Sequence, residues 1–413
     1  MSEVKSKTLA IIGQGYVGLP LAMAAVAADW SVIGVDIDEA RVLHINSGSS
    51  PVEDVSNERL SDALSSKRYR ASSDFSDISK ASVVTICVPT PLDSERKPDV
   101  SILRRAASEV APYITEETLI ISESTSFPGT LRDVIIPIIQ NLKPHSTNKV
   151  YYATAPERVN PGDVNWNQAN TPRLVGTIDE ESRARAINFY ETFCDNVVSV
   201  STPEIAEAAK LLENTFRLAN ISLINEFSMI CSAAKIDVFE VIDAASTKPY
   251  GFMAFKPSIG IGGHCIPVDP LYLTSWAHEK GVEPKLIESA DEVNLQRPIY
   301  VAKRALELLD RSITNPKVLI LGVAYKSGVS DVRETPASKL KEYLTQSNLE
   351  VAWHDPLVDV WEGTEAVSLD WPCDLAIMAT NQPGVDIAKL IDKKVTILDC
   401  CNSLKGYPGV VAL

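Results

Sequence analysis

The sequence predicts an α/β protein: two Rossmann-like, doubly wound parallel-sheet domains joined by an all-α middle domain with a long central helix. Three observations predict it. Short apolar runs alternate with helical or polar stretches towards both ends of the chain, the spacing of βαβ units. A glycine fingerprint follows the first of these runs at once. A helical pattern of about thirty residues fills the middle without an internal glycine or proline. The chain of 413 residues suffices for two to three domains, with boundaries expected at 1–202, 203–312 and 313–413.

In the first domain the apolar run Thr8 to Gly13 leads into Gly13-Gln14-Gly15-Tyr16-Val17-Gly18, which opens an alanine-rich helix from Leu19 to about Ala28. A second run, Ser31 to Val35, ends at Asp36, whose carboxylate suits the two hydroxyls of an adenosine ribose and repels a 2′-phosphate. Strand, glycines, helix, strand and acid in this order point to NAD rather than NADP. Ser82 to Val88, Leu119 to Ser122, Tyr151 to Ala155 and Leu174 to Gly176 read as further strands of a parallel sheet. Ligands of such sheets lie beyond the carboxyl ends of the strands. Three segments leave those ends: Val88-Pro89-Thr90-Pro91, Glu123 to Thr130, and Ala155 to Gly162. Taken singly, each also reads as an ordinary polar turn.

From Pro203 to Lys235 Ala, Leu, Glu and Ile recur at helical spacing, a length suited to a spine between domains or a dimer seam. Lys210 and Asn214 stand one turn apart and share a face. Beyond this helix, Lys256 to Pro270 is a glycine-rich loop with Gly260, Gly262 and Gly263 before Cys265, and Asp269 four residues later. Glycines leave a thiol unshielded, as a nucleophile requires, although an unremarkable small buried cysteine fits the same residues. His264 and Cys265, being adjacent, diverge and lack the spacing of a metal site, so none is expected. Another helix is expected from about Pro284 to Asp310.

The α/β pattern restarts with Val318 to Gly322, Glu350 to Trp353, Leu375 to Ala379 and Val395 to Asp399, with a helix at Pro336 to Gln346. Leu319-Ile320-Leu321-Gly322 echoes Ala10-Ile11-Ile12-Gly13, yet Gly322-Val323-Ala324-Tyr325-Lys326 lacks the other two glycines. This is a Rossmann-like domain without a dinucleotide fingerprint, and Lys326 and Arg333 suit phosphates. A net charge of −15 argues against nucleic acid and against an anionic membrane surface as partners. The polar N-terminus and the lack of a long apolar run imply a cytoplasmic protein. Seven thinly spread cysteines are not a disulfide framework, and Cys400-Cys401 reads as the end of a buried strand. The long apolar helix implies at least a homodimer.

Together these segments resemble the nucleotide-sugar 6-dehydrogenases, the UDP-glucose/GDP-mannose dehydrogenase family, over nearly the whole chain. The resemblance rests on Gly13 to Pro20, Val88 to Pro91, Ser124-Thr125 with Pro128-Gly129-Thr130, Pro156-Glu157-Arg158, Ala209-Lys210-Leu211 with Asn214, Gly262 to Cys265 with Asp269, and Ala324-Tyr325-Lys326 with Arg333-Glu334. It implies that Cys265 is the nucleophile, surrounded by Thr125, Glu157, Lys210, Asn214 and Asp269. It implies NAD contacts at Gly13, Gly15, Tyr16, Val17, Gly18, Asp36, Arg41, Pro89, Thr90, Thr125 and Arg333. A UDP-sugar is implied at Glu157, Arg158, Val159, Lys210, Asn214, Lys256, Gly262 and Lys326. The activity implied is oxidation of a primary alcohol to an acid, feeding cell-surface polysaccharide synthesis. Covalent capture on Cys265 would keep the intermediate aldehyde from escaping.

Arg158-Val159-Asn160-Pro161-Gly162 and His264 to Pro270 look like the UDP-N-acetylhexosamine branch. Thr247 to Met253 most resembles the UDP-N-acetylglucosamine enzymes, with the UDP-N-acetylmannosamine enzymes close behind and UDP-glucose 6-dehydrogenases further off. No lysine lies between Cys265 and Asp269, so no role is assigned to one. Two other readings share parts of the pattern: a nucleotide-sugar-binding protein without catalysis, and a two-electron dehydrogenase of the 6-phosphogluconate type, which has the long helix but no need of Cys265.

Overall fold

The computed structural model describes residues 7–142, 149–159 and 165–413. The chain forms two compact units, residues 1–213 with 271–279, and 214–270 with 280–413. The division falls inside the long helix.

The first unit is built on an eight-stranded sheet in the order β3-β2-β1-β4-β5-β6-β7-β8. Its strands are β1 (Thr8–Ile12), β2 (Ser31–Val35), β3 (Tyr69–Ser72), β4 (Val83–Ile86), β5 (Leu119–Ser122), β6 (Tyr151–Thr154), β7 (Arg173–Thr177) and β8 (Val197–Val200). The helices are α1 (Gly18–Ala27), α2 (Glu39–Asn46), α3 (Asn57–Ser65), α4 (Ser101–Val110), α5 (Ile136–Leu142) and α6 (Glu180–Tyr190). Strands covered on both faces read as unbroken apolar runs because each alternate residue meets a different helical layer. Leu9 and Ile11 pack with Leu19, Leu21 and Tyr190 on one face. Ala10 and Ile12 pack with Leu103, Ala107 and Leu131 on the other.

The expectation of a parallel sheet fails at one joint: β6 and β7 pair antiparallel through Ala153↔Thr177 and Thr154↔Gly176. A parallel return requires a crossover, usually helical. Among the described residues no helix lies between Thr154 and Arg173, and the chain comes back beside the strand it has just left.

The long helix α7 runs Pro203–Ala234, as expected to within one residue. In the second unit it is followed by α8 (Val238–Ser246) and α10 (Lys285–Leu308), while α9 (Asp269–Glu279), which lies between them in sequence, belongs to the first unit from Leu271 on. Here β9 (Lys317–Leu321), β10 (Glu350–His354), β13 (Leu375–Met378), β14 (Thr396–Asp399) and β15 (Val410–Ala412) form a sheet ordered β10-β9-β13-β14-β15. All its pairings are parallel. A hairpin of β11 (Val360–Trp361) and β12 (Thr364–Glu365), with α11 (Pro336–Gln346) and α12 (Ala388–Asp392), completes the unit. Buried Trp353 meets Trp361 edge to face at 5.8 Å. Cys400 and Cys401 follow β14 without a disulfide. Among the described residues no helix is long and apolar enough to cross a membrane.

Candidate active site

The turn after β1 shows which of its glycines serve the protein. Gly13 has φ +93°, and a Cβ there would stand 2.5 Å from the Cys87 carbonyl oxygen. A Cβ on Gly18 would collide with the Gly13 carbonyl. A Cβ on Gly15 would meet no atom within 4 Å. Packing therefore demands Gly13 and Gly18, whereas the space above Gly15 is left for something else. Asp36, buried at the end of β2, accepts from Gln14 N (2.8 Å) and Asp38 N (3.0 Å), and Arg41 pairs with it at 3.1 Å. Gln14 supports the turn from beneath, donating to the Ile11 and Gly13 carbonyls and accepting from Tyr69 Oη at 2.7 Å.

The segments after β4 and β5 are knitted together. Ser124 Oγ donates to Val88 O (2.7 Å), and Thr90 Oγ1 donates to Thr125 O (2.6 Å), with Pro89 between Val88 and Thr90. The next turn is tied to α7: Gly129 N and Leu131 N donate to the two oxygens of Glu207 at 2.7 and 3.0 Å. Burial pushes the Glu207 carboxyl up to about 8, against two N–H donors that favour its ionised form.

Glu157 lies in the segment after β6. One carboxylate oxygen accepts from Arg158 N and Val159 N, both at 2.6 Å. The other accepts from Gln168 Nε2 at 2.8 Å and faces Arg173 at 3.3 Å. Burial opposes ionisation here, but the Arg173 charge and the backbone donors outweigh it and hold Glu157 below the usual carboxylate range. The Arg158 guanidinium is engaged by Glu213 at 2.7 Å and the Pro172 carbonyl at 2.9 Å, so it fastens this segment to α7. Asn160, Pro161 and Gly162 lie outside the described residues.

In the second unit Cys265, partly exposed, heads a turn that its own carbonyl closes by accepting from Val268 N (3.1 Å) and Asp269 N (2.8 Å). The Asp269 carboxylate, buried, accepts from the Asn214 amide. Lys210, buried on the first unit's part of α7, stands one turn before Asn214 along that helix. Gly262 is required by packing, since a Cβ would lie 2.7 Å from the Glu334 carbonyl oxygen. The start of the loop is held by α7 and α10: Ser258 N donates to Asn225 Oδ1 (2.9 Å), Arg297 Nε to Ser258 O (2.8 Å) and Ile261 N to Asn294 Oδ1 (2.7 Å). Arg333 pairs with Asp331 at 2.6 Å and shares a hydrogen bond with His264 Nδ1 at 3.0 Å. Lys256 is exposed and Lys326 partly so.

Residues 7–194 match the family model described as the UDP-glucose/GDP-mannose dehydrogenase NAD binding domain; 204–296 match its central domain and 319–406 its UDP binding domain. The UDP-N-acetyl-D-mannosamine dehydrogenase of Methanococcus vannielii is 36% identical over 87% of this chain and 82% of that protein. This chain belongs to the UDP-glucose/GDP-mannose dehydrogenase family. It is an NAD-dependent oxidoreductase. The UDP-N-acetyl-D-glucosamine 6-dehydrogenase of Pseudomonas aeruginosa is 31% identical over 86% of this chain and 84% of that protein. The solved UDP-D-ManNAc dehydrogenase of Pyrococcus horikoshii superposes with a TM-score of 0.88 at 33% identity, covering 98% of each chain.

The open space above Gly15 fits NAD, because in this fingerprint the second glycine lets the dinucleotide pyrophosphate approach the backbone. In the second Rossmann-like domain of this dehydrogenase the corresponding position is Ala324, which is buried. Asp355 after β10 caps that turn through Val323 N (2.9 Å) and Ala324 N (3.2 Å), much as Asp36 caps the first. Sequence reasoning passes over Gln168, Arg173 and Glu207, and takes in Glu123 only as the first residue of the segment after β5. The visible signals are a carboxylate ending the apolar strand β5 and a guanidinium opening the apolar strand β7; each, if buried, needs an opposite charge.

Proposed function

We propose that this protein oxidises C6 of a UDP-N-acetylhexosamine from alcohol to carboxylate, with Cys265 carrying the sugar covalently. The observation that carries the proposal is the Cys265 turn, closed at Asp269, whose carboxylate binds Asn214 one helical turn from Lys210. NAD would supply the hydride acceptor, two molecules of it binding in turn for each sugar oxidised. Gly13, Gly15, Tyr16, Val17, Gly18 and Asp36 hold it in this reading, with Arg41, Pro89, Thr90, Thr125 and Arg333 at its margins.

Lys210, or a water held by Asp269, takes the proton of the C6 hydroxyl as the aldehyde forms. The Cys265 thiolate adds to the aldehyde carbon, and Lys210 and Asn214 stabilise the oxyanion of the thiohemiacetal. Oxidation of that adduct leaves a thioester. A water oriented by Glu157 and Thr125 cleaves the carbon–sulfur bond, releasing the carboxylate and returning the thiol. Arg158, Val159 and Gly262 border the sugar, and Lys256 and Lys326 oppose the diphosphate.

UDP-N-acetyl-D-mannosamine is the first candidate, because relatives 34 to 36% identical carry that name. UDP-N-acetyl-D-glucosamine, placed first by the Thr247 to Met253 stretch, follows it. NADH formation with these two sugars, UDP-N-acetylgalactosamine and UDP-glucose tests the proposal. The expected result is two NADH per sugar with an N-acetylhexosamine; NADH from UDP-glucose alone, or from none of the four, overturns it.

A further inference from the structure

At the carboxyl ends of β5 and β6 the first unit groups three charged side chains, Glu123 and Arg173 buried and Glu157 11% exposed, and the reaction as proposed uses only one of them. Arg173, 3% exposed, opens β7. It faces the Glu123 carboxylate at 3.4 Å and the Glu157 carboxylate at 3.3 Å, and it also donates to Gln168 Oε1. Gln168 completes a ring by donating to Glu157. Tyr190 Oη donates to Glu123 at 2.6 Å, and the Arg173 guanidinium lies over the Tyr190 ring at 5.1 Å.

We propose that Arg173 is a positioning residue for the hydrolytic half of the reaction, fixing the Glu157 carboxylate and keeping it ionised for the water that releases the product. The inference rests on the reading of Glu157 given above. Two carboxylates share one cation, and the surroundings decide which of them keeps the charge. Glu157 has two backbone N–H donors and the Gln168 amide besides Arg173, whereas the further donor to Glu123 is a single phenol. Burial accordingly pushes the Glu123 carboxyl up to about 7, and Glu157 stays below its ordinary value. Among the described residues the other titratable groups facing the ring are Cys87 beyond β4, Cys194 beyond α6, and Tyr190; burial raises all three, so they stay neutral. Arg173 is thus the cation that offsets Glu157. Its 3.3 Å contacts are also the longest that the Glu157 carboxylate makes, and so the ones that give way most easily to a water.

The antiparallel turn of the sheet explains why the cation can stand here. Because β7 runs back beside β6, its first residue, Arg173, begins near the Gln168 segment that follows Glu157 rather than at the amino end of β6.

Removing Arg173 alone would bury two carboxylates without a cation and endanger folding. The informative comparison is therefore Glu123→Gln against the double variant Glu123→Gln/Arg173→Met, which differ only in the cation. Each protein is mixed with NAD and UDP-N-acetyl-D-mannosamine or UDP-N-acetyl-D-glucosamine, quenched, and followed by intact mass as the acyl-enzyme decays at a series of pH values. Wild type and Glu123→Gln should share one acidic limb, because Glu123 is already protonated where Glu157 titrates. In the double variant the limb should move up by about one pH unit or more, with KM for NAD unchanged, and Arg173→Lys should fall between. A limb in the double variant coincident with that of Glu123→Gln overturns the role of Arg173. Wild-type decay in Glu157→Gln overturns the reading of Glu157 itself, and a limb that shifts while Glu157→Gln remains slow supports both.

Discussion

At the scale of the residue, the glycines of the first turn separate folding from binding. Gly15 has room for a methyl group and no positive φ, so Gly15→Ala should leave thermal stability nearly unchanged. The same methyl group occupies the space meant for a pyrophosphate, so KM for NAD should rise roughly tenfold or more, each tenfold being worth about 1.4 kcal/mol. Isothermal titration with NAD checks this, and unaltered affinity would mean that the cofactor does not approach there. A second residue prediction concerns Glu123. Burial raises its pKa from 4.5 to about 7, so the folded protein holds this proton more tightly than the unfolded chain. The stability it contributes is complete below the ordinary carboxylate value and is lost as pH rises to about 7. Glu157 is shifted the other way, so its contribution is lost only as pH falls. Melting temperature should therefore decline between about pH 5 and 7 in the wild type relative to Glu123→Gln; parallel curves would contradict the assignment. Candidate site residues such as Gly13, Asp36 and Cys265 stand out in sequence because each sits inside a local pattern. Arg173 and Glu207 do not, because the carboxylates facing Arg173 are 16 and 50 residues away, and the N–H groups on Glu207 further still, and they become neighbours only in the fold.

At the scale of the element, the glycine loop is held by side chains from two helices. Asn294→Ala would leave the Ile261 N–H buried without its acceptor, at a cost of about 1–3 kcal/mol. The expected outcome is a lower melting temperature and a lower kcat with KM for NAD unchanged; full activity at wild-type stability would mean that the loop is placed by its glycines alone. Periodicity makes α7, α10 and α11 legible, since a long amphipathic pattern has few alternatives. It fails for β3, β8 and β15, which are edge strands of three or four residues, and for the β11–β12 hairpin of two-residue strands, all too short to show a period. The orientation of β7 was also hidden, because strand direction is set by the path of the connection and not by the residues within the strand.

At the scale of the whole molecule, α7 displays Ile205, Leu212, Phe216, Leu223 and Ile230 in the open, spaced by sevens and one four. That is the spacing of a helical seam, and a stripe of this length exposed to water favours association with a second copy. Light scattering should give at least a dimer, and Leu223→Glu should weaken it; a wild-type monomer at micromolar concentration would contradict the expectation. The three segments expected at 1–202, 203–312 and 313–413 follow changes in pattern along the chain, whereas compactness divides the chain within α7. Pattern registers the kind of element, while compactness registers which elements pack together, and a long helix can serve two cores. In the proposed mechanism the Cys265 thiol captures the aldehyde and carries it through the second oxidation, and one measurement addresses that directly. Intact-protein mass spectrometry of Glu157→Gln, mixed with NAD and the UDP-sugar that yields NADH, should show the mass of a UDP-sugar acyl group, absent when Cys265→Ala is added to the same protein. An unmodified Glu157→Gln protein that nevertheless releases NADH in a burst would contradict the covalent route.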